Sequence, residues 1–212
     1  MTDYLDHILW GCDDLERGCS QFADMTGIKP QYGGVHASGA THNAIAGIGG
    51  RRYIEILAPT RAPRSDTDEL ARLARGAREP RVLTYCMRSA LPLSDIAVRA
   101  KARGWKNAEV SSNGRTMPDG MALRWQWLVP KIEAFGLAFP FFIDWLDSIH
   151  PAEAPVRADG ALFLRRFSVG HPRNTELRAV LVELGSPVDT FQADAIQFRA
   201  IVDCPRGVIT LN

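Results

Sequence analysis

The sequence predicts an α+β fold in which two βαβββ modules form one curved mixed sheet around a pocket, followed by a C-terminal βαββ extension. Three observations carry this. The pattern of residues 1–60 is repeated over residues 81–146. Each copy opens with an apolar strand, passes into a helical pattern stopped by glycine, and closes with a strand rich in aromatic and branched residues. Between helix and closing strand lie short segments that, in the first copy above all, are punctuated by glycine, as antiparallel strands with tight turns require. Two copies of one sheet-forming unit can enclose a space that neither copy has alone.

The elements follow in order. Residues 6–12 read as a buried strand. Asp13 with Glu16 forms a capping box, Leu15, Cys19, Phe22 and Met25 recur at helical spacing, and Gly27 supplies the left-handed stop. Residues 53–58 close the first module before Pro59. A connector over 60–80 carries a short helix at 65–75. In the second module Pro92 suits a first helical turn, Leu93, Ile96, Ala97 and Ala100 form the inner face, and Gly104 ends it. Strands are expected at 107–111, 121–130 and 138–146. A linker at 147–159, rich in proline and alanine, separates the paired domain (1–150) from an extension (160–212) packed on it. The extension reads as a strand at 161–169, a helix with the stripe Leu177, Val180, Leu181 and Leu184 stopped by Gly185, and strands at 195–204 and 207–211.

With 212 residues, 46% hydrophobic content and 23% charge, the chain is long enough to bury a real core. A net charge of +1 provides no global attraction to nucleic acid. The arginines between 61 and 81 are interspersed with Asp66, Asp68, Glu69 and Glu79 and read as a solvated face. No run is long and apolar enough to span a bilayer, and the first residues lack a signal-peptide pattern. Cys12, Cys19, Cys86 and Cys204 show no CxxC pairing and read as reduced thiols of a cytoplasmic protein. The expected partner is a small-molecule ligand or substrate, with a homodimer left open.

His7 and Thr84 each lie twenty residues before a helix-stopping glycine, Gly27 and Gly104. Glu55 and Asp144 match when Tyr53-Ile54-Glu55-Ile56-Leu57 is set against Phe142-Ile143-Asp144-Trp145-Leu146. If the modules pack about a pseudo-two-fold axis, these four residues converge on one cavity. A neutral imidazole with carboxylates suits a borderline or hard divalent metal. His36 and His42 lie with Asn43 in a glycine-rich stretch, where turn chemistry and a role at the pocket mouth are both open. Trp125 and Trp127 share one strand face, as core or as a ligand platform. His150 and His171, each before a proline, suggest structural turns.

The paired plan, with Asp6-His7 at the start and Tyr53-Ile54-Glu55 at the close, resembles the vicinal oxygen chelate superfamily, which includes glyoxalase I and extradiol dioxygenases. Gly33-Gly34-Val35-His36 and Gly39-Ala40-Thr41-His42-Asn43 resemble its glyoxalase-like domain subgroup more narrowly. The resemblance implies a divalent metal (Zn, Fe, Mn or Ni) held by His7, Glu55 and Asp144. Asp144 would serve as ligand or general base, His36 or His42 would assist, and Asn43, Thr84, Trp125 and Trp127 would line the pocket. A lyase, isomerase or dioxygenase acting on a small oxygenated metabolite is then expected. Three departures stand against the pattern: Thr84 where a second histidine is usual, Asp144 in place of glutamate, and Ala40 inserted before Thr41. Thr84 and the indoles Trp10, Trp125 and Trp127 favour the alternative, a metal-free protein that sequesters a small molecule against aromatic walls.

Overall fold

The computed structural model describes residues 4–116, 120, 122–153 and 162–212. The first module comprises β1 (Leu5–Gly11), α1 (Leu15–Thr26), β2 (Gln31–Val35), β3 (Thr41–Gly47) and β4 (Tyr53–Pro59). A connector with a short 3-10 turn, Pro63–Asp66, and helix α2 (Glu69–Arg75) leads to the second. That module comprises β5 (Arg81–Met87), α3 (Leu93–Ala102), β6 (Ser111–Thr116), β7 (Ala122–Leu128) and β8 (Phe141–Asp144). The expected strand starts at 121 and 161, and linker residues 154–159, lie outside the described residues.

The eight strands form one sheet in the order β2-β3-β4-β1-β5-β8-β7-β6. Each half repeats the same order outward from the centre. In both, the first strand runs parallel to the last, and β1 and β5 meet antiparallel on the pseudo-two-fold axis. The expected paired modules and curved mixed sheet are therefore present.

Local chemistry accounts for the helices, with some shifts from expectation. Asp14, not Asp13, caps α1 by accepting from the Arg17 amide at 2.9 Å, while Asp13 pairs with the Arg17 guanidinium. The buried face of α1 is Leu15, Gly18, Phe22 and Thr26, and Met25 points to solvent. Leu93, Ile96, Ala97 and Ala100 of α3 are buried as their spacing predicts. Asp68 caps α2, which is shorter than the 65–75 expected. In place of a strand at 107–111 there is an isolated bridge between Lys106 and Lys131, and the strand begins at Ser111.

The C-terminal piece contains one more strand than expected: β9 (Phe163–His171), α4 (Asn174–Glu183), β10 (Asp189–Gln192), β11 (Gln197–Cys204) and β12 (Gly207–Leu211). Asp189–Gln192 is only half-buried and too short to show a period. These strands form a separate sheet, β10-β9-β11-β12, in which the first strand is internal, unlike the strand order of the two modules. It packs against the sheet face that carries Ile8, Trp10, Ile54, Ile56, Tyr85 and Met87, in one continuous apolar core. Phe167 lies 5.0 Å from the Tyr85 ring, and side chains this deeply buried each stabilise the fold by about 1.5–3 kcal/mol. No helix among the described residues is long and apolar enough to cross a membrane. With that face covered, the site must lie on the other.

Candidate functional site

On the uncovered face, strand alternation collects His7 and Leu9 from β1, Asn43 from β3, Tyr53, Glu55 and Leu57 from β4, and Phe141 and Ile143 from β8. Together with Trp125, Trp127 and Trp145 they line a cavity of about 250 Å³. One end is polar; the opposite wall is aromatic. Such a cavity suits a small ligand oriented by a few convergent polar groups.

His7 is seated by its neighbours. Its ring stacks on Tyr53, its partner across β1 and β4, at 4.5 Å and 15°. Nδ1 lies 2.8 Å from Asp6 Oδ1, and Nε2 lies 3.5 Å from Glu55 Oε2. The other Glu55 oxygen, Oε1, accepts from Asn43 Nδ2 and lies 3.2 Å from His36 Nε2. His36 in turn is held by Thr41, whose Oγ1 is 2.6 Å from Nδ1. The two glycine motifs thus build one structure. Gly34 adopts φ +120 where β2 bulges against β3. A Cβ on Gly33 would lie 2.2 Å from Asn43 Oδ1, so only glycine leaves room for the amide that holds Glu55. Ala40 does not disturb this placement of Thr41 and Asn43.

Burial by itself would push the Glu55 carboxyl up, but the hydrogen bond and charge of His36, the charge of His7 and the Asn43 amide bring it down to about 2. Asp6 is likewise held below the usual carboxylate range, because hydrogen bonds with His150 and His7 outweigh its burial. Burial, with the charges of Asp6 and Glu55, pushes the Cys86 thiol well above its ordinary value.

Three expected site residues lie elsewhere. Asp144 is exposed and caps a turn by accepting from the Leu146 amide at 2.9 Å. The β5–β8 register pairs Cys86 with Phe141 as β1–β4 pairs His7 with Tyr53, so the residue matching Glu55 is Ile143. The expected alignment was one residue out, which in a strand turns the side chain to the opposite face. Thr84 donates to the Leu137 carbonyl at 3.1 Å and does not line the cavity. The true counterpart of His7 is Cys86, its partner across the two-fold axis. Counting back from the helix stop misplaced it because α3 has 10 residues where α1 has 12. His42 alternates away from Asn43, sits edge-on to Tyr32 at 6.5 Å, and is pushed down by burial. Trp10 also faces away, packed edge-on to Phe22 in the main core. Asn43, Trp125 and Trp127 do line the cavity, as do His7, His36 and Glu55.

Sequence reasoning missed Tyr53, Phe141, Trp145 and the buried carboxylate Asp6 as parts of the site. Strand alternation from a correctly placed Phe141 would have found Ile143 and Trp145.

Two imidazole nitrogens and one carboxylate therefore converge on the polar end. With Asp6 holding Nδ1 of His7, the Nε2 of His7 and Oε2 of Glu55 face each other, two acceptor atoms that a shared proton or a cation would reconcile. That donor set fits a divalent ion in its chemistry. Ligand atoms of Asp6, His7 and Cys86 also lie within 4.8 Å of one another, but all three residues are buried and Cys86 is held as a neutral thiol. In the second module Ile143 occupies the place of Glu55, and no carboxylate or imidazole of that module is among the described residues that line the cavity.

A family model described as a glyoxalase-like domain matches residues 5–185. No curated protein matches the sequence. Among solved structures, a hypothetical protein from Staphylococcus aureus aligns over 97% of this chain and 83% of its own, at 16% identity and a TM-score of 0.65. A methylmalonyl-CoA epimerase from Mycobacterium tuberculosis aligns over 66% of this chain and 85% of its own, at 18% identity and a TM-score of 0.44. At 16% identity the likeness to the Staphylococcus aureus protein is one of fold.

Proposed function

This chain belongs to the glyoxalase-like domain family, and from that premise we propose that it is a divalent-metal-assisted enzyme acting on a small oxygenated metabolite, as a lyase, isomerase or dioxygenase. The observation that carries the reading is the meeting of His7 Nε2 with Glu55 Oε2 at 3.5 Å, with His36 Nε2 3.2 Å from the other carboxylate oxygen. His7 and Glu55 would hold the ion, with His36 beside them, and the ion would polarise a substrate oxygen and stabilise the charge that develops on it.

The remaining work falls to the chain itself. Glu55, whose carboxyl is held low by His36, His7 and Asn43, is suited to accept hydrogen bonds and to bear negative charge. His36 is the more solvent-accessible of the two imidazoles, with 27% of its side chain exposed against 5% for His7. It is the group suited to pass a proton between substrate and solvent through Nε2, with Thr41 securing Nδ1. Tyr53, Trp125, Trp127 and Phe141 exclude water and offer flat faces to the substrate. The four free cysteines support a cytoplasmic setting.

One observation favours the alternative of a sequestering protein without metal. The second module presents Ile143 and indoles where a second pair of ligands would stand. Metal content of the untagged protein, before and after addition of Mn²⁺, Fe²⁺, Ni²⁺ and Zn²⁺, decides between them. Near-stoichiometric metal, lost in a His7→Ala/Glu55→Ala double variant, is the expected result. If neither protein binds metal, the enzyme reading fails, and ligand screens followed by tryptophan fluorescence become the test of the alternative.

A further inference from the structure

We propose that Asp6, Trp145 and His150 form a buried positioning cluster that holds His7 as its Nδ1–H tautomer and reserves the Nε2 lone pair for the pocket. The proposal rests on the reading of His7 as a site ligand and explains what the second half of the repeat contributes to it.

The proton assignment follows from the partners. His150 is fully buried, and its Nδ1 accepts from the Ala152 amide at 3.1 Å. Its proton is therefore on Nε2, where it is donated to Asp6 Oδ2 at 3.2 Å. The Trp145 indole nitrogen can only donate, and it lies 3.1 Å from Oδ2 and 3.3 Å from Oδ1 of the same carboxylate. Asp6, with no exposed surface, thus receives two donors and has the Arg88 guanidinium 3.8 Å away, so its ionised form is satisfied in place. An ionised carboxylate accepts only. His7 Nδ1, 2.8 Å from Oδ1, must then carry a proton.

Two further contacts limit rotation of the imidazole. Tyr53 stacks on one face, and Phe141 meets the ring edge-on at 5.5 Å. Tyr53 is itself braced by His150 at 5.6 Å, and His150 by Trp145 at 5.5 Å. Trp145 and His150 belong to the segment that leaves β8, beside the position where Ile143 replaces a ligand. The second module therefore orients a ligand of the first instead of supplying one. A carboxylate behind a ligating histidine also raises the basicity of the nitrogen that faces the metal.

Long-range ¹H–¹⁵N spectra of the labelled full chain, taken over a pH series with and without Zn²⁺, would read the His7 tautomer directly. Calorimetry with Zn²⁺ alone would give its affinity. In the wild type, Nδ1 should be protonated and Nε2 should bear the lone pair or the metal. Asp6→Asn, His150→Phe and Trp145→Phe should each admit the Nε2–H tautomer and weaken Zn²⁺ binding, by about 10- to 100-fold for Asp6→Asn. His150→Phe keeps a buried ring against Trp145 and Tyr53, so it carries the test if Asp6→Asn does not fold. A wild-type His7 without a proton on Nδ1, or a folded Asp6→Asn or His150→Phe protein with the tautomer unchanged, would overturn the proposal. A wild type that binds no Zn²⁺ would remove the metal reading instead, and the tautomer would still decide the role of the cluster.

Discussion

The two modules share one topology and nearly one hydrogen-bonding register, yet they differ in almost every polar side chain that faces the cavity. Where the first places His7 beside Tyr53, the second places Cys86 beside Phe141. Glu55 stands opposite Ile45, and its counterpart Ile143 stands opposite Trp127. Asn43, two residues from Ile45, has Trp125 as its counterpart. One half is a set of hydrogen-bonding groups; the other is largely an aromatic and apolar wall, with Asn113 at the cavity and Trp145 and His150 reaching behind His7 to Asp6. The difference teaches that the repeat is maintained by burial and pairing, which any well-packed side chain satisfies. The chemistry proposed for the cavity draws on a few residues of one half.

The largest expected effect tests that division directly. His7→Ala should weaken Zn²⁺ or Mn²⁺ binding by more than about a hundredfold, beyond the usual cost of losing a supporting group. Cys86→Ala, at the symmetry-related position, should leave binding within about twofold. Equal losses in calorimetry would mean that the second half supplies a ligand after all.

Restoring a carboxylate to the second half should be costly. Ile143→Glu places an unpaired charge among Tyr53, Cys86 and Trp125 and should destabilise the protein by about 2 kcal/mol in denaturant unfolding at neutral pH. Because the new carboxylate would face the polar end, added Zn²⁺ should recover part of the loss; no recovery would mean that the two halves do not share a site.

A smaller effect concerns Asp6. Its carboxyl is held below the unfolded value of about 3.9, so its stabilisation is complete above that pH and is lost as the pH falls through the folded value. Asp6→Asn should therefore be less stable at pH 7, by about 1–3 kcal/mol, and show a flatter loss of stability between pH 5 and pH 2. Unfolding midpoints across that range check both parts. An acid limb as steep as that of the wild type would show that Asp6 gains nothing from its buried partners.

The smallest effect is expected at residues that the register turned away from the cavity. Asp144→Asn and His42→Ala should change metal affinity by less than about twofold, and Asp144→Asn should alter stability by no more than about 0.5 kcal/mol. A larger loss of metal at either position would restore it to the site.

Much of the architecture was legible because it depends on local periodicity. The α3 face, the Gly27, Gly104 and Gly185 stops, the α4 stripe and the repeat itself are all set by residues close in the chain. The strand Asp189–Gln192 was not legible, being short and half-buried, and neither was the separate sheet it joins. Of the site, His7, Glu55, His36, Asn43, Trp125 and Trp127 could be placed near the cavity from motif and alternation.

The sequence by itself determined the module pattern and the residue types available to the first half of the site. Only the tertiary structure decided which residues of the second half face it. That choice rests on strand register, and a helix shorter by two residues or an alignment out by one reverses the face a side chain occupies. The role of Asp6 was beyond local reading for the same physical reason. Its donors Trp145 and His150 lie 139 and 144 residues away, and only the closed sheet brings them to one carboxylate.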